Sequence, residues 1–180
     1  MIPADALEPP AGPCADRDAP AGLFQGCAEL ARLLGRDRGQ VVELGGAGAR
    51  ARWAGGSLEC ASLAYALTTE ADWHRAVGEA IGLLKPGGIL GVVDFYVSCP
   101  QRRPGMAHHG WIARKFWKHR LRRDGMRLSC EHLPCLQARL ETLHLAERRA
   151  PLPGLRILAA PYYVFIGRKP HGAGPLRLHP

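Results

Sequence analysis

The chain has 180 residues and 19.5 kDa, room for one ordinary domain but not for two sizeable ones. Hydrophobic residues make up 47%, which excludes wholesale disorder. No apolar run reaches the roughly 18 to 20 residues of a membrane-spanning helix. With 24 Lys+Arg against 16 Asp+Glu the formal charge is +8, which favours anionic partners without choosing among nucleic acid, phospholipid head groups and a phosphorylated cofactor.

Residues 1–21 hold Pro3, Pro9, Pro10, Pro13 and Pro20 among small and acidic residues, a composition that predicts a disordered leader. No basic region followed by an apolar stretch opens the chain, so no secretory signal is read and a cytoplasmic protein with reduced thiols is expected. The cysteines and histidines lack the paired spacings of a zinc site, and no metal is expected; Cys130-Glu131-His132-Leu133-Pro134-Cys135 reads as a turn leading into a helix. Residues 170–180 read as a second disordered end, leaving one α/β domain over 22–169.

Leu23, Cys27, Leu30, Ala31 and Leu34 recur at helical spacing and stop at Gly35. Gln40 to Leu44 reads as a short strand running into Gly45-Gly46-Ala47-Gly48. The run from Leu58 to Leu67 is almost continuously apolar, as in a parallel strand covered on both faces. Thr69-Glu70-Ala71-Asp72 predicts a capping box, and Trp73, Ala76, Val77, Ala80, Ile81 and Leu84 form one apolar helix face. Lys85-Pro86-Gly87-Gly88 should end that helix, and Ile89 to Val97 is a further buried strand, completing a βαβ unit. Helices are predicted over 110–122 and 131–140. Strands are predicted over His144–Arg149 and Tyr162–Arg168, antiparallel because Pro151 to Pro161 is too short for a crossover helix. The fold class is α/β: an incomplete doubly wound, Rossmann-like, mostly parallel sheet with an antiparallel hairpin at its carboxyl-terminal end.

Leu83-Leu84-Lys85-Pro86-Gly87-Gly88-Ile89-Leu90 resembles the turn before the fifth strand of class I S-adenosylmethionine-dependent methyltransferases. Ser62 to Thr68, Asp72-Trp73, Gly91 to Ser98, Asp124-Gly125, His132-Leu133-Pro134 and Ala160 to Lys169 resemble the methyltransferases of betaine-lipid synthesis. The resemblance implies S-adenosylmethionine as cofactor and an acceptor such as the amine of a diacylglyceryl-homoserine.

At the amino-terminal end two alignments remain open. In one, Glu43-Leu44-Gly45-Gly46-Ala47-Gly48 is the cofactor turn and the two following βα units, of about 30 residues each, are missing. In the other, Val41–Leu44 is the family's third strand and the cofactor turn is absent. The cofactor-binding candidates are therefore Glu43, Gly45, Gly46, Gly48, Ala66, Leu67 and Thr68. Ligands of open α/β sheets bind beyond the carboxyl ends of the strands, which singles out Tyr65, Asp94 and Tyr96 as catalytic candidates. The tyrosines would wall a developing ammonium, and Asp94 would hold the acceptor amine or take its proton. His108 and His109 are weaker candidates for orienting a substrate.

In the helix over 110–122, Ile112, Ala113, Phe116, Trp117 and Leu121 fall on one side, with Arg114, Lys115, Lys118, Arg122 and Trp111 on the other. Peripheral contact with an anionic membrane follows as an expectation. Nucleic acid ranks behind it, because no recognised nucleic-acid motif is present. Against the enzyme stands a second class, a shortened non-catalytic module that binds a partner chain or a membrane surface.

Overall fold

The computed structural model describes residues 21–35, 41–44, 50–100, 108–152 and 155–172. All of the expected leader except Ala21, which opens α1, and the expected tail beyond Gly172 lie outside them. The described elements are α1 (Ala21–Leu34), β1 (Val42–Glu43), β2 (Leu58–Ala64), α2 (Ala66–Thr69), α3 (Trp73–Leu83), β3 (Leu84–Phe95), α4 (Trp111–Arg122), α5 (His132–Arg139), β4 (Glu141–Leu152) and β5 (Leu155–Arg168). The strands form one sheet in the order β1-β2-β3-β5-β4. β1, β2 and β3 pair in parallel, and β5 runs antiparallel to both β3 and β4. β5 is thus the single reversed strand, and the sheet is mostly parallel with a closing hairpin.

Helices cover both faces, which is why Ile89 to Phe95 is buried without alternation. On one face Cys27, Leu30 and Leu34 of α1 and Trp117 and Leu121 of α4 pack over Cys60, Ile89, Val93, Phe95, Val164 and Ile166. On the other, Ala76, Val77, Ala80 and Leu83 of α3 and Leu133 and Leu136 of α5 pack over Ala61, Leu63, Leu90, Val92 and Phe165.

Several boundaries differ from the sequence-based expectation. The Leu58–Leu67 run is not one strand: it breaks at Tyr65, in the left-handed region at φ 52°, and continues as α2. The capping residue of α3 is Asp72, whose carboxylate accepts from Arg75 N at 3.1 Å, while the Thr69 hydroxyl donates back to the carbonyls of Tyr65 and Ala66. Lys85-Pro86-Gly87-Gly88 belongs to β3, with Gly87 at φ 76° supplying the left-handed residue that the bend requires. The final strands extend through the expected Pro/Gly connection. Pro151 lies on the edge strand, and Pro161 faces its carbonyl towards Tyr96 N, where β3 has run out of ladder, so neither imide breaks the central pairing. Cys130 and Cys135 are free thiols, as expected; Cys27 departs from that expectation and is disulfide-bonded.

The connection from β1 to β2 is held by an ion network with no local signature. Arg50 is 3% exposed and bonds Glu70 through two nitrogens, at 2.5 and 2.7 Å, and Glu79 through Nε at 2.8 Å. It ties this connection to the end of α2 and to α3. Removing one partner of a buried ion pair costs several kcal/mol, and the partial exposure of both glutamates lowers this to about 2 kcal/mol for Arg50→Ala. Urea unfolding of the variant checks this; an unchanged midpoint would show that the network contributes nothing.

Candidate active site

The parallel strands end together. Glu43 is level with Ser62, and Ala64 with Val93, so the carboxyl ends of β1, β2 and β3 open onto the same end of the sheet. In a doubly wound sheet of order 3-2-1-4-5-6, strand 1 neighbours strand 4, and ligands sit where the order reverses. The direct pairing of β1 with β2 matches strand 1 beside strand 4. A third strand left without its two inner neighbours would pair with β2 in the same way, so both alignments stay open.

Beyond β2 the chain turns at Tyr65, whose amide bonds Val93 O at 2.8 Å, and α2 begins. Asp94 fastens this turn. Its Oδ2 accepts from Leu67 N at 2.8 Å and Thr68 N at 3.2 Å, and its Oδ1 from Thr68 Oγ1 at 2.7 Å and Phe95 N at 2.8 Å. The structure thus brings Ala66, Leu67, Thr68 and Asp94 together, but not in the expected roles. A carboxylate offers about four lone-pair sites, and here all four are filled at a side chain that is 0% exposed. Asp94 has no oxygen left for a substrate amine; it shapes the strand end.

Tyr65 is also displaced from its expected role. Its ring packs against Phe95 at 5.0 Å between centroids, beneath α1. A Cβ on Gly26 would come 2.8 Å from the Tyr65 hydroxyl and 2.6 Å from Val93, so only glycine lets α1 approach so closely. Burial, then the Asp94 charge, pushes the Tyr65 pKa up, away from any proton-carrying role near neutral pH.

Tyr96 belongs to a different cluster on the opposite face. Its hydroxyl donates to Glu147 Oε1, and its ring meets those of His109 and Tyr163 edge-on, at 5.3 and 5.6 Å. His109 Nδ1 accepts from Ser98 N at 3.0 Å, and its amide donates to Ser98 Oγ at 2.8 Å, a reciprocal clasp between the end of β3 and the start of α4. Burial, and then Arg149, lowers the His109 pKa. The neutral ring with Nδ1 accepting carries its proton on Nε2, so His109 is a donor and a positioning group rather than a base. His108 is exposed. The arrangement places the Glu147 carboxylate, with the Arg149 guanidinium close by, among three ring faces and edges.

Glu43 is partly buried at the end of β1, and its Oε1 is removed from water without a hydrogen-bond partner among the described residues. Burial raises its pKa. An orphaned carboxylate oxygen at this strand end fits a ligand that donates hydrogen bonds, as the amino and hydroxyl groups of S-adenosylmethionine do. Gly45, Gly46 and Gly48 lie outside the described residues. No group of three or more His, Cys, Asp or Glu among the described residues is arranged to hold a metal ion.

Glu147, Tyr163 and Ser98 were not singled out by their local sequence. Glu147 lies 51 residues from Tyr96, and only the pairing of β3 with β5 and of β5 with β4 joins them. Tyr163 and Ser98 carry no local signature beyond the stretches of resemblance in which they lie.

No protein-family model matches the sequence, and no curated protein does. The fold is similar to solved structures at low identity. YcgJ of Bacillus subtilis gives a TM-score of 0.47 at 16% identity over 67% of each chain. A SAM-dependent methyltransferase of Methanosarcina mazei gives 0.43 at 16%, over 66% of this chain and 62% of that one. The Burkholderia thailandensis 1,6-didemethyltoxoflavin-N1-methyltransferase, solved with S-adenosylhomocysteine, gives 0.46 at 15%, over 83% and 79%. These are similarities of arrangement, and no residue role is carried over from them.

Proposed function

We propose that the chain is an S-adenosylmethionine-dependent methyltransferase acting on an amine, with a lipid-linked amine such as diacylglyceryl-homoserine as acceptor. The observation that carries this reading is Glu43: a carboxylate oxygen out of water and without a partner among the described residues, at the carboxyl end of β1 beside β2. Glu43 and the main chain around Ala66, Leu67 and Thr68 would hold the cofactor, with Asp94 keeping that turn in place. The bound cofactor would supply an electrophilic methyl group on sulfur. Transfer to an amine needs alignment, an unprotonated nucleophile and exclusion of water, and no nucleophile from the protein. The Glu147 carboxylate, fixed by Tyr96, would orient the amine and take its proton. The resemblance to betaine-lipid enzymes supports the acceptor class.

Calorimetric titration with S-adenosylmethionine and transfer of labelled methyl to diacylglyceryl-homoserine in micelles test this. Glu43→Ala should weaken cofactor binding roughly tenfold or more, the usual contribution of hydrogen bonds to a charged group. Absence of binding by the wild-type chain would end the reading.

A non-catalytic module is the second reading. It is favoured by the short connection, residues 44–57, that joins β1 to β2 and leaves no room for two βα units, so that β1 is the sheet's edge among the described residues. Cofactor binding without transfer to any amine offered would favour it.

A further inference from the structure

Among the described residues, helix α4 is not partnered on its outer side. Trp117 and Leu121 point into the core, and Arg114 turns inward to the carbonyls of His109 at 3.1 Å and Cys99 at 3.5 Å. Ile112 and Phe116 do not join the inner face, as the sequence pattern predicts, but lie outside. Five large hydrophobic residues are strongly exposed among the described residues, and three of them stand within six positions of this helix: Trp111 at 63%, Ile112 at 66% and Phe116 at 39%. At 100° per residue, Lys115 and His119 occupy the middle of the outward arc, with Ile112 and Phe116 on one flank and Trp111, Lys118 and Arg122 on the other. Lys115 Nζ lies 5.6 Å from the centre of the Trp111 ring.

Beside the basic flank lies a cavity of about 420 Å³ lined by Lys118, Arg122, Met126, Arg127 and Leu128. It carries three cations over two apolar side chains, with no acidic group in the lining. None of the three forms an ion pair among the described residues, whereas Arg120 on the far flank is matched by Asp124 at 2.5 Å. The cavity adjoins the proposed active site, since Arg127 N bonds Thr68 O at 2.6 Å.

We propose that α4 is a docking surface for an anionic bilayer, with Trp111, Ile112 and Phe116 entering the interface and Lys118, Arg122 and Arg127 receiving a lipid phosphate. Charge complementarity selects this occupant: a protein partner would cover the apolar residues but leave three cations unmatched, whereas an anionic head-group layer satisfies both. The inference does not rest on methyl transfer, because binding is read without the cofactor.

The test is co-sedimentation of the full chain with vesicles of zwitterionic lipid alone, or with a quarter of the lipid replaced by phosphatidylserine. Binding is expected only to the anionic vesicles and should be largely lost in about 0.5 M salt, where the screening length shrinks to a few ångströms. Each basic residue near such a surface changes partition about fivefold, so Lys118→Glu with Arg122→Glu and Arg127→Glu should lower it at least a hundredfold. Ile112→Ser with Phe116→Ser should lower it independently while the melting temperature holds, since both residues are exposed. Salt-insensitive binding, equal binding to both vesicle types, or binding that survives both variants overturns the proposal. So does capture of inorganic phosphate or duplex DNA without vesicle binding, which would mark a soluble-anion or nucleic-acid site. If the charge-reversed variant does not fold, the salt dependence and the Ile112/Phe116 variant decide alone.

Discussion

Replacing Asp94 with alanine is expected to lower the melting temperature by roughly 10 °C, the consequence of about 3–5 kcal/mol lost from a chain of this length. The variant leaves the amides of Leu67 and Thr68 and the Thr68 hydroxyl in a dry interior without their acceptor, and each buried unsatisfied donor costs about 1–3 kcal/mol. Asp94→Asn should recover only part of this, because its amide nitrogen must face donors at one of the two oxygen positions. The carboxyl pKa is pushed up to about 7 by burial, against the hydrogen bonds of the Thr68 hydroxyl and the Phe95, Thr68 and Leu67 amides. An acid whose pKa is raised on folding holds its proton more tightly in the native state. Its contribution is full below the unfolded value near 4 and is lost as the pH rises towards 7. The stability gap between wild type and Asp94→Asn should therefore narrow as pH rises from about 5 to about 8. Thermal melts of both proteins across that range check it. A gap that widens with pH would show that the four hydrogen bonds outweigh burial and that the carboxylate stays ionised throughout.

Acid unfolding should be governed in large part by His132, and His132→Phe should abolish that part. The imidazole is 0% exposed, meets Trp73 edge-on at 4.5 Å, and has no hydrogen-bond partner at either ring nitrogen among the described residues. Burial, and then the charge of His74, lowers its pKa to about 4. A base whose pKa is depressed on folding is protonated first in the unfolded chain, so stability is lost as pH falls from about 6.5 towards 4. At 1.36 kcal/mol per unit the loss reaches about 3 kcal/mol at the acid end. Phenylalanine keeps the edge contact with Trp73 and removes two orphaned nitrogens. The variant should match or exceed wild type near pH 7, and exceed it by about 2–3 kcal/mol near pH 4.5, in urea unfolding. A variant less stable at both values would mean that the nitrogens are satisfied in solution.

Both predictions depend on residues whose place the sequence only partly declares. Local periodicity is a sum over neighbours, so the amphipathic spacing of α1 and α3 and the buried run of β3 are legible from Leu30, Leu34, Val77, Ala80 and Ile89 to Phe95 alone. The α/β class, the parallel core and the closing hairpin follow from that order of elements. Asp94 could be placed at a strand end, but not among four donors, because its partners lie at 67, 68 and 95 and meet it only when β2 and β3 pair. Tyr96 with Glu147, and Arg50 with Glu70 and Glu79, are of the same kind: pairs joined across the chain, whose chemistry exists only once strands and helices are neighbours. The helical wheel of α4 finds two faces but cannot say which is covered. That depends on what the rest of the fold brings against it, and here Trp117 and Leu121 are covered while Ile112 and Phe116 are left to solvent. Register along the chain is a local property and was determined by sequence; contact between distant side chains is a property of the assembled sheet, and only the tertiary structure decided it.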